Sequence, residues 1–198
     1  MRAARRAQAL SRRCSPPPLF LSLFPSPPRA LFQLKAGDSI DVKGPYQKFA
    51  YEANQWASVG LVAGGTGITP MYQLIVEMLS NPRDKTEIRL LYASRTEADI
   101  ILRHELDALA AVYPNFKVQY VLSKPAPGWQ GAAGHINKAA IAAFLPPPQE
   151  GARTKILVSG PPAFMAALSG DKKSPSDQGE LAGALKELKY AKEQVFKY

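Results

Sequence analysis

Residues Val59–Met71 read VGLVAGGTGITPM, a short apolar run that breaks into a glycine turn and leads straight into a helical pattern. The apolar run predicts a strand buried on both faces of a parallel sheet. Gly64, Gly65 and Gly67 permit positive φ and let the backbone come close to a ligand. Pro70 suits the first position of a helix, where no backbone donor is needed. Beyond it, Met71, Leu74, Ile75, Met78 and Leu79 recur at helical spacing and form one apolar stripe to lie on the sheet. The free N–H groups of the helix's first turn then face the glycine turn, an arrangement suited to a pyrophosphate.

Neither of the two commonest phosphate loops is present. No Lys-Ser or Lys-Thr follows Gly67, which argues against a P-loop nucleotidase, and Pro70 stands where the third glycine of G-x-G-x-x-G would be. A tight strand-to-helix turn that binds nothing is the competing reading of the same residues.

Strand and helix signals alternate after this crossover, which predicts an α/β fold with a doubly wound parallel sheet. Strands are expected at Thr86–Ala93, Phe116–Leu122 and Lys155–Val158, with a closing strand at Gln194–Lys197. Helices are expected at Leu102–Val112 and Ile136–Phe144, and Gly160, Pro161 and Pro162 open another. In such a sheet every strand-to-helix turn lies at one edge. The glycine turn, Ala93–Thr96 and Ser159–Pro162 should therefore converge on one cleft.

Three segments, LKAGDSIDVKGP at Leu34–Pro45, GGTGITPM at Gly64–Met71 and VSGPPAFM at Val158–Met165, resemble the ferredoxin-NADP reductase-like flavoenzymes. Within these, the chain is similar to the NADH-cytochrome b5 reductase family in its fungal mitochondrial form, which the ending SPSDQGELAGALKELKYAKEQVFKY also resembles. The resemblance covers about residues 33–198 and implies three parts: an Arg/Pro-rich disordered segment at 1–32, a remnant of an FAD-binding β-barrel with its linker at 33–54, and an NAD-binding domain at 55–198. It implies hydride transfer from NADH to FAD and electron delivery to cytochrome b5. The flavin-binding Arg-x-Tyr-Thr or Arg-x-Tyr-Ser motif of the family has no counterpart before Leu34, so a flavin-free NADH-binding module is the rival reading. A Pro/Arg-tailed adaptor using the domain as a scaffold is a third.

The resemblance also assigns the cofactor contacts. Gly44 lies at the barrel exit, and Gly64, Gly65, Thr66, Gly67, Thr69 and Pro70 take the pyrophosphate and nicotinamide side. Asp99 takes the adenosine ribose and Ser159, Gly160, Pro161 and Pro162 form the nicotinamide pocket, while Ala93, Ser94 and Met165 are further cofactor contacts, with Tyr198 near the flavin ring. Each has a plainer alternative. Asp99 either selects NADH over NADPH by repelling a 2′-phosphate or, with Glu97, charges a helix start; Arg95 would soften the selection. Ser159 either positions the carboxamide or caps the following helix. Thr66 either touches the rings or bonds its own turn, and Phe196 and Tyr198 either contact flavin or pack the last strand. No side chain is needed as an acid or base, because aligning two stacked rings suffices.

The 198 residues carry a formal net charge of +9, from 25 basic and 16 acidic residues. Six arginines and no acid fall in residues 1–33, so the remainder is nearly balanced, and a nucleic-acid partner loses its support. MRAARRAQALSRRC has the composition of a mitochondrial presequence, with an outer-membrane or intermembrane-space location implied by the family. A non-native or mis-spliced start is the alternative. Six prolines between Pro16 and Pro28 oppose a long helix there. The apolar piece Leu19–Phe24 is far short of the roughly 20 residues that span a bilayer; peripheral membrane association and a monomeric chain are the expectation.

Cys14 is the only cysteine, and His104 and His135 lack metal-ligand spacing, so no metal is implied and both histidines are expected at the surface. No G-x-S-x-G elbow anchors hydrolase chemistry. Lys172 and Lys173 are read either as steering an acidic cytochrome or as solvated surface. If the barrel is absent, the face it normally covers should be apolar.

Overall fold

The computed structural model describes residues 32–41 and 48–198. The chain divides into two compact units, Met1–Tyr46 and Gln47–Tyr198. In the first, residues 32–41 form turns and no strand, although a barrel strand and exit are expected at Leu34–Pro45. Local bonds take the backbone instead: Asp38 donates its N–H to the Lys35 carbonyl at 3.0 Å, and its carboxylate accepts the Lys35 N–H at 2.8 Å. The expected contact Gly44 and all but the last residue of the 1–32 segment lie outside the described residues.

The second unit is a six-stranded parallel sheet in the order β4-β3-β2-β1-β5-β6. Its strands are β1 (Ser58–Gly64), β2 (Glu87–Ser94), β3 (Phe116–Leu122), β4 (Ala132–Ala133), β5 (Thr154–Ser159) and β6 (Val195–Lys197). The helices are α1 (Ile68–Ser80), α2 (Arg103–Val112), α3 (Lys138–Phe144), α4 (Pro162–Leu168) and α5 (Gly183–Glu187).

All seven residues of β1 are buried, as a strand covered on both faces requires. The period-two alternation sorts them into two cores. Val59, Leu61 and Ala63 meet Met71, Ile75 and Met78 of α1 and Leu106 of α2. Val62 faces the other way, toward Ile141 of α3, Leu168 of α4 and Leu185 of α5. Each fully buried aliphatic side chain contributes about 1.5–3 kcal/mol, so the central strand is anchored from both sides. Phe49 and Tyr51 also pack on the first core, so the residues just before 55 share it.

The expected elements form with small shifts. Helix α1 begins at Ile68, so Pro70 is its third residue and not its first; the third N–H of a helix is free as well, which makes proline equally tolerable there. The helix expected from Ile136 begins only at Lys138, because the Asn137 side chain accepts the Ala140 N–H and caps α3. The two-residue β4 and five-residue α5 are too short to show a periodic pattern, and neither is expected from sequence.

Candidate functional site

Strands β2 and β3 extend the sheet to one side of β1, while β5 and β6 extend it to the other. The carboxyl ends of β1 and β5 therefore form the topological switch point, where open α/β sheets leave a crevice for ligands. Gly64 of β1 is in register with Ala93 of β2, and Ala63 with Ser159 of β5. This register brings the three expected turns to one edge.

The glycine turn is a single turn of 3-10 helix at Gly65–Gly67 that runs into α1. Only Gly65 of its glycines has a positive φ, 54°, and the space where a Cβ would stand is open. Gly67 has helical backbone angles and is glycine for another reason: a Cβ there would collide with the Ser159 carbonyl. Ile68 donates its N–H back to the Gly65 and Thr66 carbonyls, and Pro70 has no donor. The helix start thus offers fewer free donors than an ordinary one. Thr69 donates its hydroxyl to the Thr66 carbonyl at 3.1 Å, while Thr66 itself is exposed.

A cleft of about 400 Å³ lies at this edge, lined by Gly64, Gly65, Ala93, Ser94 and Pro161 among the expected residues. Arg95, Ser123, His135 and Phe164 line it too. Among the described lining residues there is no carboxylate, so Arg95 leaves the cleft hospitable to an anion. The Ser94 hydroxyl is buried, beside the Tyr92 hydroxyl. A nucleotide's phosphates would meet the Arg95 charge in this cleft, so its lining fits NADH.

Other expected residues are placed differently. The Asp99 carboxylate accepts the Thr96 N–H at 3.0 Å and the Thr96 hydroxyl at 2.6 Å, closing a capping box on the short 3-10 helix Glu97–Asp99. These two bonds hold its pKa below the usual aspartate value, with help from Arg95. The capping alternative for Ser159 fails, because Pro161 holds the cap position of α4 and no side chain caps that helix. Gly160 and Pro162 flank the same turn. Met165 is buried in the second core and does not line the cleft.

Tyr198 approaches through its backbone, donating its N–H to the Val158 carbonyl at 2.9 Å. Its ring meets Phe196 edge to face at 5.2 Å, and with Lys48 and Lys172 the two line a separate cavity of about 550 Å³. Burial pushes the Tyr198 hydroxyl up to about 12. Phe49 lies 4.8 Å from Phe196, and these half-buried rings form an aromatic group on this unit.

Among the lining residues that escaped sequence reading are His135, Phe164 and Ser123. His135 is exposed as expected, yet the hydrogen bond from the Gly134 N–H to the Leu122 carbonyl holds its loop at the cleft. Phe164 lies against Gly64 and Gly160, where a Cβ on either glycine would crowd its ring. The glycines flanking Phe164 were the available signal. Ser123 had none.

Residues 61–170 match the family model of the oxidoreductase NAD-binding domain. The chain is 46% identical over 183 residues to NADH-cytochrome b5 reductase 2 of Aspergillus oryzae, covering 91% of this chain and 56% of that protein. Against NADH-cytochrome b5 reductase 2 of Neurospora crassa the identity is 47% over 169 residues, 85% of this chain and 49% of that protein. The chain thus spans about half the length of the curated relatives it matches. Among solved structures, the cytochrome b5 reductase domain of Ulva prolifera nitrate reductase superposes with a TM-score of 0.72 at 34% identity, covering 86% of this chain and 64% of that one. The CS-b5R domains of human Ncb5or, in their NAD+ form, give 0.65 at 27%, covering 86% and 44%.

Proposed function

This chain belongs to the oxidoreductase NAD-binding domain family, and we propose that it binds NADH at the β1–β5 switch point as the nucleotide half of an NADH-cytochrome b5 reductase. The observation that carries this reading is the backbone contact of Gly67 with Ser159, which joins the glycine turn and the Ser159–Pro162 turn into one wall of the cleft. Gly65, Thr66, Gly67 and Thr69 hold the pyrophosphate, with Arg95 supplying positive charge. Ser94 and Asp99 take the adenosine ribose, and Ser159 to Pro162 orient the nicotinamide. When bound, the nicotinamide is the hydride source and a flavin its acceptor. The chain's own residues contribute alignment and exclusion of water, with no acid or base.

The described residues build no flavin barrel, since 32–41 form turns. No step is assigned to FAD on this chain, and a flavin-free NADH-binding module is the second reading. Delivery of electrons to cytochrome b5, a monomeric state and peripheral membrane association belong to the first reading. No helix among the described residues is long and apolar enough to cross a membrane. The Arg-rich, acid-free start supports a mitochondrial address.

Two measurements on the full chain test these readings. Calorimetric titration with NADH should give one site per chain; no binding would overturn both. The visible spectrum after reconstitution with excess FAD and gel filtration then separates them. A retained flavin band bleached by NADH establishes the reductase, and loss of the flavin leaves the NADH-binding module.

A further inference from the structure

Tyr92 sits on β2 with no exposed surface, yet its hydroxyl reaches two separate loops at the edge of the sheet. It donates to the Gly65 carbonyl at 3.1 Å and accepts the Ile101 N–H at 3.2 Å. Gly65 opens the glycine turn. Ile101 follows the 3-10 helix that ends in Asp99. We propose that Tyr92 is a positioning residue for the nucleotide, fixing the pyrophosphate turn and the ribose-binding segment relative to each other through this one hydroxyl.

Three features support the assignment. The peptide joining Gly65 to Thr66 is planar, so anchoring its carbonyl on Tyr92 sends the Thr66 N–H in the opposite direction. The orientation of a backbone donor in the turn is thereby set from beneath. The second feature is strain: Leu102, the residue after Ile101, has φ 60°, which is unfavourable for a branched side chain. Such a conformation persists where neighbours over-determine it, and the Tyr92 hydroxyl holds the N–H of the preceding residue. The third is chemical: a hydroxyl donates and accepts at once, so a phenylalanine of the same shape could serve neither loop. Burial raises the Tyr92 pKa, partly offset by Ser94 and the Ile101 N–H, so the proton needed for the Gly65 bond is kept at neutral pH.

The inference rests on the NADH reading, and the test separates the two. Tyr92→Phe in the full chain should raise the NADH dissociation constant about two- to tenfold, the range of one or two lost hydrogen bonds. Tyr120→Phe is the control, because it removes a neighbouring hydroxyl that bonds Asp107 at 2.7 Å and touches neither loop. It should leave NADH affinity unchanged. Equal NADH affinity in the parent and Tyr92→Phe, or equal losses in both variants, would overturn the positioning role while leaving NADH binding standing. Absence of binding by the parent would overturn both.

A second measurement decides the matter if Tyr92→Phe does not fold. In the parent chain, inorganic pyrophosphate should slow hydrogen exchange at the Ile101 amide, a group it does not need to touch. Unchanged exchange at Ile101 would sink the proposal.

Discussion

Gly67 and Ser159 meet backbone to backbone at the switch point, with no room for a side chain between them. The obstacle is main chain on β5, which cannot swing aside as a side chain can. Gly67→Ala should therefore push the two turns apart and cost about 1–3 kcal/mol, as overpacking does. Urea unfolding would measure that loss, and calorimetry should show weakened NADH binding in the same variant.

Gly65 is constrained by conformation and not by crowding. Its φ is 54°, and nothing lies within 4 Å of the place a Cβ would take. Gly65→Ala should cost about 1–2 kcal/mol from the left-handed backbone alone. The added methyl also borders the cleft, so NADH affinity should fall. Comparing this variant with Gly67→Ala by urea midpoint and NADH titration would show two glycines of one turn kept for different reasons.

Asp99 combines a cap with a charge, and the two roles separate in Asp99→Asn. The amide oxygen can still accept from Thr96, whereas the negative charge is gone. If the charge selects against a 2′-phosphate, affinity for NADPH relative to NADH should rise roughly fivefold, about the effect of one unit charge near a solvent-exposed partner. An unchanged ratio in parallel NADH and NADPH titrations would leave Asp99 with the cap alone.

Asp84 should make the domain sensitive to acid from the edge opposite the cleft. Its carboxylate accepts the Tyr51 hydroxyl at 2.5 Å and the Thr86 N–H at 3.0 Å. Burial pushes its pKa up, but these bonds outweigh it and leave the value below the usual 3.8. A lowered carboxyl pKa stabilises the native state above the unfolded value, and that stability is lost as pH falls from about 4 through the native pKa. The same pairing, with burial the larger cause, lifts Tyr51 to about 12. Asp84→Asn should cost about 1–3 kcal/mol at pH 7 and flatten the acid limb of stability measured by urea at pH 7 and pH 3. NADH affinity at pH 7 should stay unchanged.

The order of elements was legible in the sequence because it is written in short-range periodicity. The unbroken apolar run Val59–Ala63 and the helical stripe from Met71 to Leu79 follow from which side chains must leave water, and the glycines after the run mark the turn. Those same residues pointed to a pyrophosphate turn. That the three turns share one edge followed from the doubly wound pattern, but only the tertiary structure decided which atoms touch there. Gly67 lies some ninety positions from Ser159, and no local pattern records that their backbones touch. Helical spacing could not separate Met165, buried beneath α4, from Phe164 at the cleft. Nor does the composition of LLYAS reveal that the Tyr92 hydroxyl ends between Gly65 and Ile101. Hydrogen bonds between loops depend on the final angles of whole strands and helices, which are settled only when both faces of the sheet are packed.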